Sequence, residues 1–313
     1  MSIVLHGRAS DELRRQTDGA FGAGVVTYVD SADRAGFARA SNAMEVLLHV
    51  LTPVTAAMIE AAPKLKLIQK IGVGVNTIDL DAAQARGVAV CNMPGTNSQA
   101  VAEQALALML AVLRRIPALN DLTKAGHGWN ADSAILDSSG EIAGRTVGLY
   151  GLGNSAQRLA KALAALGAEL LYTARHRHAD LPYRYATADE LLERSDILSL
   201  HVPLTDETRH MLDDRAFARM PKGAILINTA RGELVDEGAL LRALQRGHLR
   251  GAGLDVFNRE PVAADNPLLA LPQLVATPHI SWLTPETLRR SMKVAAENSR
   301  RIGAGEVLLH RVV

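Results

Sequence analysis

The feature that most constrains the fold is a glycine-rich turn between a strand-like run and a helical pattern. The run at 146–150 precedes the pattern G-x-G-x-x-A at 151–156, and the helical pattern follows at 157–166. This order is typical of dinucleotide-binding α/β folds: the glycines allow a tight turn and a close approach to a pyrophosphate, and the small sixth residue lets the helix pack on the strand. The first helical amides are donors for phosphates. We therefore predict a dinucleotide site at Gly151, Gly153, Asn154, Ser155 and Ala156.

The rest of the chain alternates short aliphatic runs with helical patterns, which predicts an α/β protein with parallel sheets. The predicted strands are 3–6, 25–29, 45–50, 65–71, 88–91, 146–150, 169–172, 197–200, 224–228, 251–256 and 274–276. Predicted helices include 55–62, 80–85, 99–115, 157–166 and 285–302, and 125–140 is predicted to be loop. The length of 313 residues fits two domains of about 150 residues each. The Pro- and Gly-containing stretch 93–98 is expected to be a linker or hinge.

Composition excludes several classes of partner. The chain has 34 Lys and Arg against 33 Asp and Glu, with the basic residues scattered, so nucleic acid is not expected as a partner. The single cysteine, Cys91, excludes an internal disulfide and favours a reducing cytoplasm. No signal peptide is visible, and the most apolar long segment, 100–113, is too short to cross a membrane. No metal site is predicted.

The loop after the second strand of the dinucleotide fold predicts which nucleotide binds. An acidic residue there bonds the ribose hydroxyl of NAD, whereas a nearby arginine accommodates the 2′-phosphate of NADP. This chain has Thr173 at that position and then Arg175, His176 and Arg177. A basic loop is often only a solvated surface, but its position favours NADPH, with NADH also possible.

Three further residues, Arg231, Glu260 and His279, lie at or beyond the ends of predicted strands, where ligands bind in open α/β sheets. Reducing a 2-keto acid requires a cation for the carboxylate and carbonyl, and arginine supplies a planar, permanently charged fork. It also requires a proton donor near neutral pH, and histidine is suited to that step. A carboxylate on the other imidazole nitrogen fixes the tautomer and favours the charged ring. Each residue alone also has a purely structural interpretation; the combination favours catalysis.

Ordered motifs along nearly the whole chain resemble the D-isomer-specific 2-hydroxyacid dehydrogenases. The matching stretches are 70–79, 92–95, 100–103, 151–156, 201–208, 227–232, 253–257, 260–261 and 278–280. Residues 172–175 are most similar to the NADPH-preferring glyoxylate/hydroxypyruvate reductases of that family. The resemblance implies reduction of a small 2-keto acid to the D-2-hydroxy acid.

The resemblance also implies an architecture. It implies two doubly wound parallel-sheet domains, Rossmann-like and flavodoxin-like, with a cleft between them. Residues 1–96 with 285–313 are expected to form the substrate-binding domain, and 97–284 the dinucleotide-binding domain. A homodimer formed through the helix at 99–115 is expected as well.

Roles for individual residues follow from the same resemblance. It implies Arg231 on the substrate, His279 as the acid/base and Glu260 as its partner, with the backbone amides of Val73 and Gly74 holding the substrate carboxylate. Asp255 and the Ala230 carbonyl are expected to face the nicotinamide amide. The remaining expected cofactor contacts are His201, Val202, Pro203, Thr229 and His279.

Three departures from the family pattern leave the substrate open. Asn76-Thr77 replaces the usual Asp-Asn, Gln104 stands where histidine is frequent, and Ser281-Trp282 replaces small residues. Trp282 either shapes the substrate pocket or only packs in the core. The alternatives are an NAD-dependent phosphoglycerate-type dehydrogenase and, from a different class, a non-enzymatic dinucleotide-sensing protein similar to the corepressor branch of the family.

Overall fold

The computed structural model describes residues 1–313, and the chain forms two compact units. The first unit joins Met1–Asn97 to Trp282–Val313, and the second is Ser98–Ser281. No helix in either unit is both long enough and apolar enough to cross a membrane.

The first unit is a five-stranded parallel sheet in the order β2-β1-β3-β4-β5. Its strands are β1 (Ile3–His6), β2 (Val26–Val29), β3 (Val46–His49), β4 (Leu67–Lys70) and β5 (Ala89–Cys91). Its helices are α1 (Asp11–Phe21), α2 (Arg34–Ser41), α3 (Ala56–Glu60), α4 (Leu80–Ala85) and α12 (Pro285–Ala304). This strand order is that of flavodoxin-like doubly wound folds.

The last part of the chain completes the first unit. Leu288, Met292 and Ala295 of α12 are buried in one of its two hydrophobic cores, together with residues of the sheet. The end of the chain then runs antiparallel beside β5, where the Val312 amide donates to the Val90 carbonyl at 2.7 Å and Arg311 pairs with Cys91. The sheet edge at β5 is thereby covered.

The second unit is a seven-stranded parallel sheet in the order β12-β11-β10-β9-β6-β7-β8, with a hydrophobic core on each face. Its strands are β6 (Thr146–Tyr150), β7 (Glu169–Thr173), β8 (Arg184–Tyr185), β9 (Ile197–Leu200), β10 (Ala224–Asn228), β11 (Leu249–Leu254) and β12 (Leu274–Ala276). Its helices are α5 (Ser98–Leu113), α6 (Ile116–Lys124), α7 (Ser133–Asp137), α8 (Asn154–Ala165), α9 (Ala188–Arg194), α10 (Asp214–Arg219) and α11 (Glu237–Gln245). The prediction of two doubly wound parallel-sheet domains is confirmed for both sheets.

The structure differs from the predicted elements in several places: the two-residue strand β8 was not predicted, and two further differences have a local cause. The stretch 125–140, predicted as loop, contains a 3₁₀ turn at Gly128–Asn130 and helix α7, which begins after the capping carboxylate of Asp132. Neither has a buried residue, so the sequence shows no apolar period there. The strand predicted at 251–256 is β11, which starts two residues earlier because a shift in register with β10 lets Leu249 pair with Ala224.

Candidate active site

The glycine-rich turn joins β6 to α8. Gly151 has φ of 97°, and a Cβ atom there would lie 2.6 Å from the carbonyl oxygen of His201, so both backbone conformation and space require glycine. The Gly151 amide donates to the Thr173 carbonyl at 2.8 Å. The turn is therefore fixed to the ends of both neighbouring strands, β9 and β7.

The start of α8 is shaped to receive an anion. Gly153 caps the helix without any side-chain hydrogen bond, and a Cβ atom at this position would meet nothing within 4 Å. Ala156 is fully buried where the helix packs on the sheet. Asn154 and Ser155 form the first turn, whose amides carry the partial positive charge of the helix. The residues present therefore fit the pyrophosphate of a dinucleotide.

The other expected cofactor residues follow the carboxyl ends of the adjacent strands β9 and β10. Nε2 of His201 lies 2.9 Å from Oγ of Ser199, and burial lowers the pKa of His201 to about 4, so its ring is neutral at pH 7. Val202 is half-buried and Pro203 is exposed. Thr229 is buried, and its hydroxyl has no hydrogen-bond partner, which leaves it available to a ligand.

The loop after β7 presents its basic side chains to solvent. Thr173 ends the strand and is buried, whereas Arg175, His176 and Arg177 are exposed. Neither arginine forms a hydrogen bond or an ion pair within the chain. Both guanidinium groups are therefore available to an anionic ligand.

Arg231 follows β10, and its backbone is fixed by hydrogen bonds to Asn228 and by close contact of Gly232 with Phe257. Asn228 accepts from the Ala230 amide at 3.0 Å and donates to the Arg231 carbonyl at 2.7 Å. A Cβ atom at Gly232 would lie 2.0 Å from the Phe257 carbonyl carbon, so glycine is needed for the backbones after β10 and β11 to meet. Burial lowers the pKa of the Arg231 guanidinium, and the nearby carboxylates of Glu260 and Glu233 oppose this. Arginine stays charged under such conditions.

His279 and Glu260 form a close pair. Nδ1 of His279 lies 2.6 Å from Oε2 of Glu260, and the other carboxylate oxygen accepts from the Phe257 amide at 3.0 Å. Burial acts to raise the pKa of Glu260, but the hydrogen bond and charge of His279, the Phe257 amide and Arg231 together bring that pKa below its ordinary value. The pair is therefore a carboxylate with an oriented imidazole.

Asp255 holds the turn that carries His279. Its carboxylate is fully buried and accepts from the Thr277 hydroxyl at 2.5 Å, the Ile280 amide at 3.0 Å, and both the amide and the hydroxyl of Ser281. Its backbone carbonyl accepts from the His279 amide at 2.7 Å, and His279 itself has a left-handed φ of 54°. The hydrogen bonds of the Asp255 carboxylate are therefore made to this turn, a role that the sequence does not predict.

Two further contacts bear on the sequence-based expectations. The carbonyl of Ala230, expected to face the nicotinamide amide, accepts from Nη1 of Arg231 at 2.7 Å. Gln104 donates to the Thr277 hydroxyl at 3.2 Å, and that hydroxyl in turn donates to Asp255. Gln104, one of the departures from the family pattern, therefore supports the turn that carries His279. A family pattern alone could flag this position but not its partner.

The expected substrate residues Val73, Gly74 and Trp282 belong to the first unit, whereas Arg231, Glu260 and His279 belong to the second. Val73 and Gly74 lie in the loop after β4, and neither amide donates a hydrogen bond within the chain. The Val73 carbonyl accepts from Asn92 at 2.9 Å. Trp282 is partly buried and packs against the core that contains α12.

Comparison with known proteins places this geometry in a family. The sequence profile of the D-isomer specific 2-hydroxyacid dehydrogenase NAD-binding domain matches residues 106–281. The chain is 43% identical over 303 residues to D-3-phosphoglycerate dehydrogenase of Mycobacterium tuberculosis, covering 95% of this chain but only 56% of that protein. The chain thus spans little more than half the length of this curated relative.

Two other proteins are similar over most of both chains. Glyoxylate reductase of Korarchaeum cryptofilum is 38% identical over 268 residues, which are 84% of this chain and 81% of that protein. The crystal structure of D-lactate dehydrogenase from Aquifex aeolicus, complexed with NAD and lactic acid, superposes with a TM-score of 0.86 at 31% identity, covering 97% of this chain and 96% of that one. The profile match and these relatives show that the chain belongs to the D-isomer specific 2-hydroxyacid dehydrogenase family.

Proposed function

We propose that the protein reduces a small 2-keto acid, of the glyoxylate or hydroxypyruvate kind, to the D-2-hydroxy acid with NADPH. The observation that carries this proposal is the 2.6 Å pair of His279 and Glu260, which follows β12 and β11, in the same unit as the half-buried Arg231. A permanent cation and an oriented imidazole are the two groups that this reduction requires from the protein.

The turn at 151–156 and the start of α8 would hold the pyrophosphate, and the unpartnered Thr229 hydroxyl offers a further contact. When bound, the reduced nicotinamide supplies the hydride. Arg175 and Arg177 support a preference for NADPH, because their guanidinium groups suit a 2′-phosphate and Thr173 offers no carboxylate for a free ribose hydroxyl.

Arg231 binds the substrate carboxylate and polarises its carbonyl, assisted by the amides of Val73 and Gly74. His279 donates a proton to the carbonyl oxygen as the alcohol forms. Glu260 keeps the ring in the required tautomer and favours its charged form, and Asp255 fixes the backbone turn from which the ring projects. Trp282 is assigned to the substrate pocket because it directly follows that turn.

A homodimer is part of the proposal. The helix at 99–115 that was expected to form it is α5, and the buried residues of α5 pack within the second unit. The proposed surface is therefore the segment that follows α5. No residue from Arg114 to Glu141 is buried, although this segment includes helices α6 and α7. Its apolar side chains include Trp129, which is 90% exposed, and Ile116 and Leu136, each about half exposed. Large apolar side chains exposed on neighbouring segments of the chain are typical of surfaces that a partner covers.

A second candidate function is an NAD-dependent phosphoglycerate-type dehydrogenase. It is favoured by the 43% identity to the mycobacterial enzyme, which exceeds that to the archaeal glyoxylate reductase. The loop at 173–177 argues against it, since that loop lacks an acidic residue for the ribose of NAD.

The deciding experiment follows absorbance at 340 nm with the purified protein and a matrix of substrates. NADPH and NADH are each combined with glyoxylate, hydroxypyruvate and a wider panel of 2-keto acids, and NAD and NADP are each combined with 3-phosphoglycerate. The proposal expects the highest kcat/KM with NADPH and a small 2-keto acid. Preference for NAD and 3-phosphoglycerate establishes the second function, and tight nucleotide binding without any turnover establishes the non-enzymatic alternative.

A further inference from the structure

Hydrogen bonds fix both ends of the loop that carries Arg175 and Arg177. At its start, the Thr173 carbonyl accepts from the Gly151 amide of the glycine-rich turn at 2.8 Å. At its end, the His178 amide donates to the hydroxyl of Tyr172 at 2.8 Å, and this hydroxyl lies 3.4 Å from the His178 carbonyl, to which it donates. The five residues between Tyr172 and His178 are thereby held as a short closed loop.

Tyr172 is itself immobilised by its surroundings. Its side chain is fully buried at the penultimate position of β7. Tyr185 is its register partner on β8, and the two rings meet edge to face with centroids 5.5 Å apart. The ring of His178 lies 6.1 Å away on the loop side. The two-residue strand β8 therefore serves to cover this tyrosine.

The hydroxyl of Tyr172 is not needed for packing in the core. A phenylalanine would fill the same space with the same ring contacts, and burying a hydroxyl is costly unless it is hydrogen-bonded. Its only hydrogen-bond partners are the two backbone groups of His178. The hydroxyl thus acts on the shape of the loop and on nothing else.

Resting on the proposed NADPH-dependent function, we propose that Tyr172 is a positioning residue for cofactor selection, which presents Arg175 and Arg177 to the 2′-phosphate. Both arginines are exposed and have no partner within the chain, so only the loop backbone determines where their side chains start. A loop fixed to the pyrophosphate turn at one end and to the sheet at the other loses little freedom when the phosphate binds. A loop released at His178 has to be ordered by the ligand.

The test compares Tyr172→Phe with Tyr185→Phe in the full-length protein. The hydroxyl of Tyr185 forms no hydrogen bond, so Tyr185→Phe is the matched control. We expect Tyr172→Phe to raise KM for NADPH about 3- to 10-fold, the loss of a net hydrogen bond, while kcat and the KM for NADH stay within about twofold. Tyr185→Phe should match the unaltered protein. Equal changes for both nucleotides, or no change for either, would overturn the proposal.

Binding of nucleotide fragments decides the same point without turnover. 2′,5′-ADP carries the 2′-phosphate and 5′-AMP lacks it. Tyr172→Phe should therefore weaken the binding of 2′,5′-ADP and leave the binding of 5′-AMP unchanged. If the unaltered protein reduces no 2-keto acid, the proposed reaction fails, yet this comparison still supports or overturns the role of Tyr172. If it binds both fragments equally, the NADPH preference fails and the role of Tyr172 fails with it.

Hydrogen exchange gives a second measurement on the unaltered protein. The His178 amide belongs to a half-buried loop residue and should exchange slowly, with the protection lost in Tyr172→Phe and kept in Tyr185→Phe. Rapid exchange in the unaltered protein would show that the loop is not held and would overturn the proposal.

Discussion

Nδ1 of His279 lies 2.6 Å from Oε2 of Glu260, and the opposite oxygen of that carboxylate is bound by the Phe257 amide. Both oxygens of Glu260 are therefore occupied, so the carboxylate cannot rotate away from the imidazole without losing a second hydrogen bond. The orientation of His279 is set by backbone on one side and by this carboxylate on the other.

Replacing His279 by glutamine should remove the proton donor and leave nucleotide binding intact. The expected loss in kcat is on the order of 10²–10⁴, the contribution of general acid catalysis. Steady-state rates and nucleotide titration measure the two effects. His310→Gln, at an exposed position of the first unit whose side chain forms no hydrogen bond, is the control. A kcat near that of the unaltered protein would remove His279 from the mechanism.

Glu260→Gln should move the alkaline limb of the kcat/KM profile for keto-acid reduction to lower pH. The reduction uses a charged imidazole, and the Glu260 carboxylate 2.6 Å from Nδ1 stabilises that form, whereas the neutral amide of glutamine does not. Glu260 itself does not titrate near neutrality, because its pKa is brought below the ordinary value of about 4.3. Measuring kcat/KM across a pH series locates the alkaline limb in both proteins. If the limb lies at the same pH in both, Glu260 has a purely structural role.

Arg175→Ser with Arg177→Ser should raise KM for NADPH on the order of 10- to 100-fold, the value of a charged hydrogen bond, and leave NADH nearly unchanged. In the unaltered protein, KM for NADPH should rise as salt is added, because both arginines are exposed and salt screens their charges. Arg39→Ser, at an exposed arginine of the first unit, is the control. Equal losses for both nucleotides would mean that the loop is only a solvated surface.

Asp255→Asn should destabilise the second unit and lower kcat together. The amide group of asparagine cannot accept the hydrogen bonds that Oδ2 accepts from Ser281, and leaving such buried donors unpaired costs roughly 1–3 kcal/mol each. Denaturant unfolding and kcat measure the two effects. Asp265→Asn, at an exposed carboxylate without a hydrogen bond, is the control. Normal stability with reduced nucleotide affinity would instead support the direct contact with nicotinamide that the family resemblance implied.

Trp129→Ser with Leu136→Ser should shift the protein from dimer to monomer, because the exposed apolar surface that the two copies cover is removed. Sedimentation velocity over a range of concentrations measures the shift. The control is Val307→Ser, at an apolar residue of the first unit that is 85% exposed. A monomer in the unaltered protein would remove the dimer from the proposal.

The sequence predicts the parts of the fold whose chemistry is local. Gly151 and the strand before it are visible because a tight turn and an aliphatic run each have a pattern of their own. The pairing of Glu260 with His279 was also anticipated, since a catalytic imidazole requires such a partner. By contrast, α7 has no buried residue and β8 has only two residues, so neither leaves a periodic signal.

The support of the site was harder to foresee. Asp255 reaches Thr277 and Ser281 across more than twenty residues, and polar side chains at such a separation carry no pattern that links them. The same holds for Gln104, which contacts Thr277 from α5. The role of the Tyr172 hydroxyl is not visible in the sequence for a different reason: a strand pattern treats tyrosine only as an apolar ring and ignores its hydroxyl.

The discontinuity of the first unit has a consequence for biosynthesis. Residues 98–281 form a continuous unit and can fold as soon as they leave the ribosome, whereas the five-stranded sheet lacks α12 and its edge segment until residues 285–313 are made. The nucleotide-binding unit can therefore fold first, and residues 1–97 remain incomplete until residues 285–313 have been made. A chain that stops before residue 285 would lack part of the unit whose synthesis began first.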